Sequence, residues 1–119
     1  MAKILVIEDT ASLEKAWVQK FKTEGFEVLT ASSGQAAVKV AQSRHPDLVV
    51  VDVAEEEGQP AVNQIRRQSW ARKLPALFLN SFRDREIFTQ YSMGLDEHLP
   101  YNWSLREVVE KAKQKLAFS

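Results

Sequence analysis

Three carboxylates stand where apolar runs end. Glu8 and Asp9 close "KILVIED", and Asp52 closes "DLVVVD". Brought together they would repel one another, so that without a cation at least one would keep its proton above the ordinary carboxylate range. A divalent ion removes that conflict. Magnesium takes oxygen ligands, keeps several waters and is commonly held by one or two carboxylates together with a phosphate. Glu8 and Asp9 then supply the metal site, and Asp52 beside it is placed to attack a phosphoryl group in line and become an aspartyl phosphate. Taken alone, Asp52 has a plainer reading as a strand-end acid capping the next loop. The acidic pair at an adjacent strand end turns the balance. Glu55, Glu56 and Glu57, which follow almost at once, read as a solvated loop.

For these acids to meet, the runs that carry them must be neighbours in a sheet. "ILVI" (Ile4 to Ile7), "LVVVDV" (Leu48 to Val53) and "ALFL" (Ala76 to Leu79) have strand length and read as strands buried on both faces. "FEVLTA" (Phe26 to Ala31) and "EHLP" (Glu97 to Pro100) are weaker and read as sheet edges. Helical patterns lie between them. Leu13, Trp17 and Phe21 recur every fourth residue before a stop at Gly25, which places Trp17 on an apolar stripe as a core residue. "SSGQ" (Ser32 to Gln35) reads as a capping box for a helix that stops near His45-Pro46. A weaker helix follows Pro60 through "AVNQIRRQ", another runs from about Arg83 to Met93 before Gly94, and a second capping box, "SLRE" from Ser104, opens the last. Five β-α repeats predict an α/β fold, a flavodoxin-like (βα)5 three-layer sandwich with parallel strand order 2-1-3-4-5. In that order the first and third strands adjoin. The winding reverses between them, and ligands of such sheets gather beyond the carboxyl ends of the strands at that point.

Composition narrows the function classes. A chain of 119 residues suits one domain, and 16 basic against 16 acidic residues leave no global field for nucleic acid or an anionic membrane. The absence of cysteine excludes disulfides and thiolate chemistry, and two histidines argue against zinc. The apolar part of "MAKILVIEDT" is too short for a signal peptide, and no later segment could span a bilayer, so the expectation is a cytoplasmic protein with no membrane partner.

These residues resemble the receiver domains of two-component response regulators over essentially the whole chain, so that residues 1–119 read as a single receiver-like domain. "KILVIEDT" is similar to the opening strand with its acidic pair, "DLVVVD" to the strand that carries the phosphorylated aspartate, "LPALFLN" to the fourth strand and "GLDEHLPYNW" to the stretch through the fifth. The resemblance implies that Asp52 accepts a phosphoryl group from a histidine kinase or phosphotransfer protein. It also implies that Glu8, Asp9 and Asp52 bind Mg2+ with the main-chain carbonyl of Ala54. The chain would then be a signalling phosphoprotein and not an enzyme beyond self-phosphorylation and autodephosphorylation.

The sequence departs from the family on the side that reads the phosphoryl group. Asn80 replaces the usual threonine or serine, with Ser81 next to it. Tyr101 falls where the family has a lysine, and a phenol neutral at pH 7 cannot replace that charge. "AEEEG" replaces the usual methionine-proline loop, with Gly58 about two residues early. Arg83 and Arg85 read as ordinary helix-surface residues, with replacement of the lost charge as the lesser reading. Tyr91, His98 and Trp103 cluster on the fourth predicted helix, the fifth strand and the loop before the last helix, a face that in receivers contacts a downstream partner or a second copy. Two functions compete: an atypical receiver phosphorylated on Asp52, and a phosphorylation-independent pseudo-receiver that works as a protein-interaction module. A cofactor-binding flavodoxin-like domain is disfavoured, since no glycine-rich phosphate loop follows the first strand. No segment reads as DNA-binding, so no direct nucleic-acid contact is expected.

Overall fold

The fold was obtained as a computed structural model, which describes residues 1–79, 94–99 and 103–117. Five strands, β1 (Lys3–Glu8), β2 (Glu27–Ala31), β3 (Leu48–Asp52), β4 (Ala76–Leu79) and β5 (Asp96–Leu99), form one parallel sheet in the order β2-β1-β3-β4-β5. Among the described residues the helices are α1 (Ala11–Thr23), α2 (Gly34–Arg44), α3 (Glu55–Arg66) and α4 (Leu105–Ala117), with a short 3-10 turn at Ser69–Ala71. The predicted architecture and strand order are those observed. The helix expected near residues 83–93, together with Asn80, Ser81, Arg83, Arg85, Tyr91 and Tyr101, lies outside the described residues.

Two cores follow from the period-two alternation of the strands. Leu5, Ile7, Val49, Val51 and Phe78 face one side, where they pack with Ala37, Val38 and Ala41 of α2 and Ala61, Val62 and Ile65 of α3. Ile4, Val6, Leu48, Val50, Leu77 and Leu79 face the other, against Trp17 and Phe21 of α1 and Val108, Val109 and Ala112 of α4. The apolar stripe of α1 begins at Trp17. Leu13, in the first turn, is 46% exposed.

At two of the helix starts side chains take up backbone N–H groups that the helix itself leaves open. The box predicted at Ser104 is complete: the Ser104 N–H donates to Glu107 Oε1 at 3.1 Å and the Glu107 N–H to Ser104 Oγ at 3.2 Å. At α2 the cap is Ser33, whose Oγ accepts from the Ala36 N–H at 3.1 Å. Gln35 is therefore in the wrong place to reciprocate, and the Gly34 N–H donates instead to Glu57 Oε2 of α3 at 2.7 Å. The α2 helix stops as expected at His45, which adopts a left-handed conformation with φ 49°.

The largest correction to the expected elements is α3. It begins at Glu55, not after Pro60, so Glu55, Glu56 and Glu57 form its first turn and are not a loop. Two physical reasons support the earlier start. Negative side chains are favoured at the positive end of a helix. Gly58, buried against β3, also lets this turn lie directly on Val51, since a Cβ at Gly58 would come 2.3 Å from Val51 Cγ1. Pro60 sits inside the helix on an exposed side, where it forgoes one backbone hydrogen bond.

Candidate functional site

Register brings the acids together. Glu8 ends β1, Asp52 ends β3, and the two are paired across the parallel ladder. By alternation Glu8 follows Ile4 and Val6, and Asp52 follows Leu48 and Val50, so both side chains project from the face that α1 covers. Asp9, one residue past the strand, is exposed, with Oδ1 3.5 Å from the Thr10 hydroxyl.

Glu8 is 2% exposed and Asp52 is half-buried. Glu8 Oε2 accepts the Thr10 N–H at 3.2 Å, and Oε1 accepts the indole N–H of Trp17 at 3.1 Å. That same indole N–H lies 3.3 Å from Asp52 Oδ2. Burial, a hydrogen bond with Asp52 and the charge of Asp52 raise the Glu8 carboxyl from an ordinary 4.5 to about 8, against the opposing pull of the Thr10 and Trp17 donors. At neutral pH the metal-free pair therefore holds a proton.

Trp17 belongs both to the core and to the site. Its ring is 5% exposed and stacks on Phe21 at 6.0 Å and 27°, while Phe21 meets Phe26 edge-on at 5.9 Å. Its spacing on α1 identified the core role and missed the polar one. A signal was available in parity: Glu8 and Asp52 share their face with Ile4, Val6, Leu48 and Val50, which is the face that an apolar stripe on α1 must cover.

The carboxylates suit a hard divalent cation, because they offer only oxygen and the crowding of Glu8 against Asp52 is a conflict that a cation would relieve. The expected Ala54 ligand does not suit it. The Ala54 carbonyl accepts the N–H groups of Glu57 and Gly58, each at 2.9 Å, and so closes the first turn of α3. Among the described residues no group of three or more His, Cys, Asp or Glu side chains is gathered as a set of metal ligands.

The expected interaction surface also changes. His98 is 3% exposed and stacked on Phe78 at 4.8 Å and 18°, so it is a buried residue and not part of a presented face. It lies opposite Phe78 in the ladder between β4 and β5, within the layer beneath the helices. Trp103 is partly buried and packs against the α1 and α4 core. No described helix is long and apolar enough to cross a membrane.

Comparison with known proteins agrees with the geometry. The sequence profile of the response regulator receiver domain matches residues 4–113. The chain is 32% identical over 115 residues to the alkaline phosphatase synthesis transcriptional regulatory protein PhoP of Bacillus subtilis, covering 93% of this chain and 47% of that protein. It is 28% identical over 117 residues to the probable transcriptional regulator ycf27 of Cyanophora paradoxa, covering 96% and 48%. The chain thus spans about half the length of the curated relatives it matches. Among solved structures, the chemotaxis protein CheY4 of Vibrio cholerae superposes with a TM-score of 0.79 at 23% identity, covering 96% of this chain and 98% of that one. The receiver domain of the Francisella response regulator 1452 superposes with a TM-score of 0.81 at 19% identity, covering 98% of both chains. An acidic cluster at the switch point of a 2-1-3-4-5 sheet and a family match over nearly the whole length lead to one assignment: this chain belongs to the receiver-domain family of response regulators.

Proposed function

We propose that this receiver accepts a phosphoryl group on Asp52 from a histidine kinase or phosphotransfer protein and passes its state on through protein contacts. The observation that carries this reading is the pairing of Asp52 with Glu8 at the carboxyl ends of the two central strands. There the half-buried Asp52 carboxylate lies at the point where ligands of such sheets bind. In the transfer, an Asp52 oxygen forms a bond to phosphorus while the bond from phosphorus to the donor breaks, and the donor leaves with that electron pair. The product is an acyl phosphate on Asp52.

Glu8, Asp9 and Asp52 would hold Mg2+, which when bound offsets the charge gathering on the phosphoryl oxygens. The switch is atypical in this reading, with Asn80 at the hydroxyl position, Ser81 next to it and Tyr101 at the position of the lysine. The named relatives are transcriptional regulators about twice as long, and the contacts proposed for this domain are with protein, through a partner or a second copy, not with nucleic acid. The setting implied is cytoplasmic.

A second reading, the phosphorylation-independent pseudo-receiver, is favoured by the Ala54 carbonyl being engaged in α3 and by the Trp17 indole bridging the two acids. One experiment separates the two. The protein is incubated with magnesium and a small acyl-phosphate donor, and its intact mass is compared with that of Asp52→Asn. A single phosphoryl adduct that the variant lacks is the expected result. Equal masses with and without donor in both proteins would select the second reading.

A further inference from the structure

We propose that the cleft at the amino ends of β4 and β5, beneath the last turns of α4, is a binding site for a small organic anion, one with a carboxylate or phosphate head on an apolar body. It lies at the opposite end of the strands from Asp52, so it stands whether or not Asp52 is phosphorylated.

The cleft has a volume of about 520 Å3, and Lys73, Pro75, Leu95, Glu97, Lys111 and Lys115 are among the residues that line it. Small-molecule sites commonly enclose about 300–1,000 Å3, with apolar walls and a few convergent polar groups. Pro75 stands just before β4 and Leu95 just before β5, and the Ala76 N–H donates to the Leu95 carbonyl at 3.0 Å, which fixes the two against each other. A single exposed leucine carries no meaning by itself. Leu95, 38% exposed, forms with Pro75 the apolar wall of a cleft whose other side is charged. On that side Lys111 and Lys115 are one turn apart on α4. Glu97 alternates along β5 with Leu99, a member of the core beneath α4, and so turns its carboxylate toward that helix.

The charges in the cleft do not balance. Glu97, 8% exposed, is the one acid among the described lining residues. It faces Lys111 at 3.6 Å and Lys115 at 3.9 Å, both beyond the reach of a charge-assisted hydrogen bond, about 2.7–2.9 Å. Lys115 donates instead to the Gly94 carbonyl at 2.6 Å. Lys73 is exposed and makes no ion pair among the described residues. Three ammonium groups against one carboxylate leave two positive charges in excess. Nearby acids are engaged elsewhere, Asp96 with Arg66 at 2.6 Å and Glu110 with Lys113 at 3.8 Å. A cleft with an excess of one sign and apolar walls concentrates its field on whatever enters it. An anionic head beside Lys73 and Lys111 would cancel the excess, and an apolar body would cover Pro75 and Leu95. A bare inorganic ion would do only the first.

The test divides the ligand into its parts. Protein labelled with 15N is titrated with phenyl phosphate and, separately, with phenylacetate, while inorganic phosphate and benzyl alcohol supply head and body alone. The Gly94, Leu95 and Glu97 amide resonances should move saturably with at least one of the two probes, at a dissociation constant about tenfold or more below that of either part. Lys73→Glu changes an exposed residue with no ion pair among the described residues, so the fold should persist while binding weakens about tenfold. Leu95→Ser should weaken the organic probe and leave the response to inorganic phosphate unchanged. Asp52→Asn should bind as the unaltered protein does. No saturable shift with either probe, parts that bind as tightly as the whole, or undiminished binding in Lys73→Glu or Leu95→Ser each overturns the proposal and leaves Glu97, Lys111 and Lys115 as an ion-paired surface. Loss of binding in Asp52→Asn would put the anion at the acidic end of the sheet and overturn it as well.

Discussion

Gly58→Ala should destabilise this protein by about 2 kcal/mol, although it lies inside a helix where the same change ordinarily stabilises by about 1 kcal/mol. The sign decides the matter. A Cβ at Gly58 would meet Val51 Cγ1 at 2.3 Å, with Val53 Cγ2 at 3.5 Å and Val51 Cβ at 3.7 Å. Both valines belong to the close-packed layer between the sheet and α3, with Val51 1% and Val53 9% exposed, so the strand has no room to retreat. Overpacking typically costs about 1–3 kcal/mol, and a contact this short belongs at the upper end, which outweighs the gain in propensity. Urea denaturation measures the difference. In a Val51→Ala background Cγ1 is gone and the remaining contacts are ordinary, so adding Gly58→Ala there should be neutral or stabilising. A destabilisation of equal size in both backgrounds would show that the clash with Val51 is not its cause.

The same glycine explains why one part of the site was hard to read in the sequence. The three central strands were legible because each is a continuous apolar run bounded by polar residues, and the order followed from the weakness of the other two. With the order came the pairing of Glu8 with Asp52. The start of α3 was not legible, because Pro60 and three consecutive glutamates both resemble the marks of a loop. What overrides them is tertiary: Gly58 docks on Val51, and Glu57 is engaged with the Gly34 N–H of α2. Neither contact has a local signature. Once α3 starts at Glu55, the Ala54 carbonyl is taken by the helix and the implied ligand set loses that member. His98 was misplaced for a related reason. Its place in a cluster with Tyr91 and Trp103 suggested a presented face, while its position on β5 opposite Phe78 buries it.

Trp17 shows a different limit. A four-residue spacing reports which side of a helix is buried, and this it did correctly for Trp17 and Phe21. It does not report that the core on that side ends in carboxylates. An indole at the end of an apolar stripe can finish the core with its ring and satisfy an acid with its N–H, which is why tryptophan occurs where a dry interior meets a polar site. In this chain one side chain therefore links the packing of α1 to the electrostatics of the acidic pair.

Between pH 6.5 and 8 the metal-free protein should lose stability as the pH rises, and Glu8→Gln should abolish most of that loss. Folding raises the Glu8 carboxyl from 4.5 to about 8, through burial first and then through Asp52. Between those two values the folded state binds more protons than the unfolded chain, so stability falls with rising pH. The contribution is complete below about 4.5 and gone above about 8. His98 acts in the opposite direction over part of this range. Burial lowers its pKa below the ordinary 6.5, against the raising influence of Glu55 and Asp96, so its contribution to stability is lost as the pH falls below 6.5. Glu24, lowered chiefly by its hydrogen bond from Lys113, and Lys113, raised chiefly by the same bond, titrate outside the window. Among the described residues, the interval from 6.5 to 8 therefore isolates Glu8. The slope is about 1.4 kcal/mol per unit near pH 6.5 and half that at pH 8, so the loss across the interval should be about 1.5 kcal/mol. Urea denaturation at half-unit steps of pH, with a chelator present, measures it. Glutamine keeps one oxygen to accept from Trp17 or from Thr10, gives up the other acceptor and has no proton to release, so its profile should be nearly flat where the unaltered protein declines. Parallel profiles for the two proteins would mean that the acidic pair does not share a proton in the folded state.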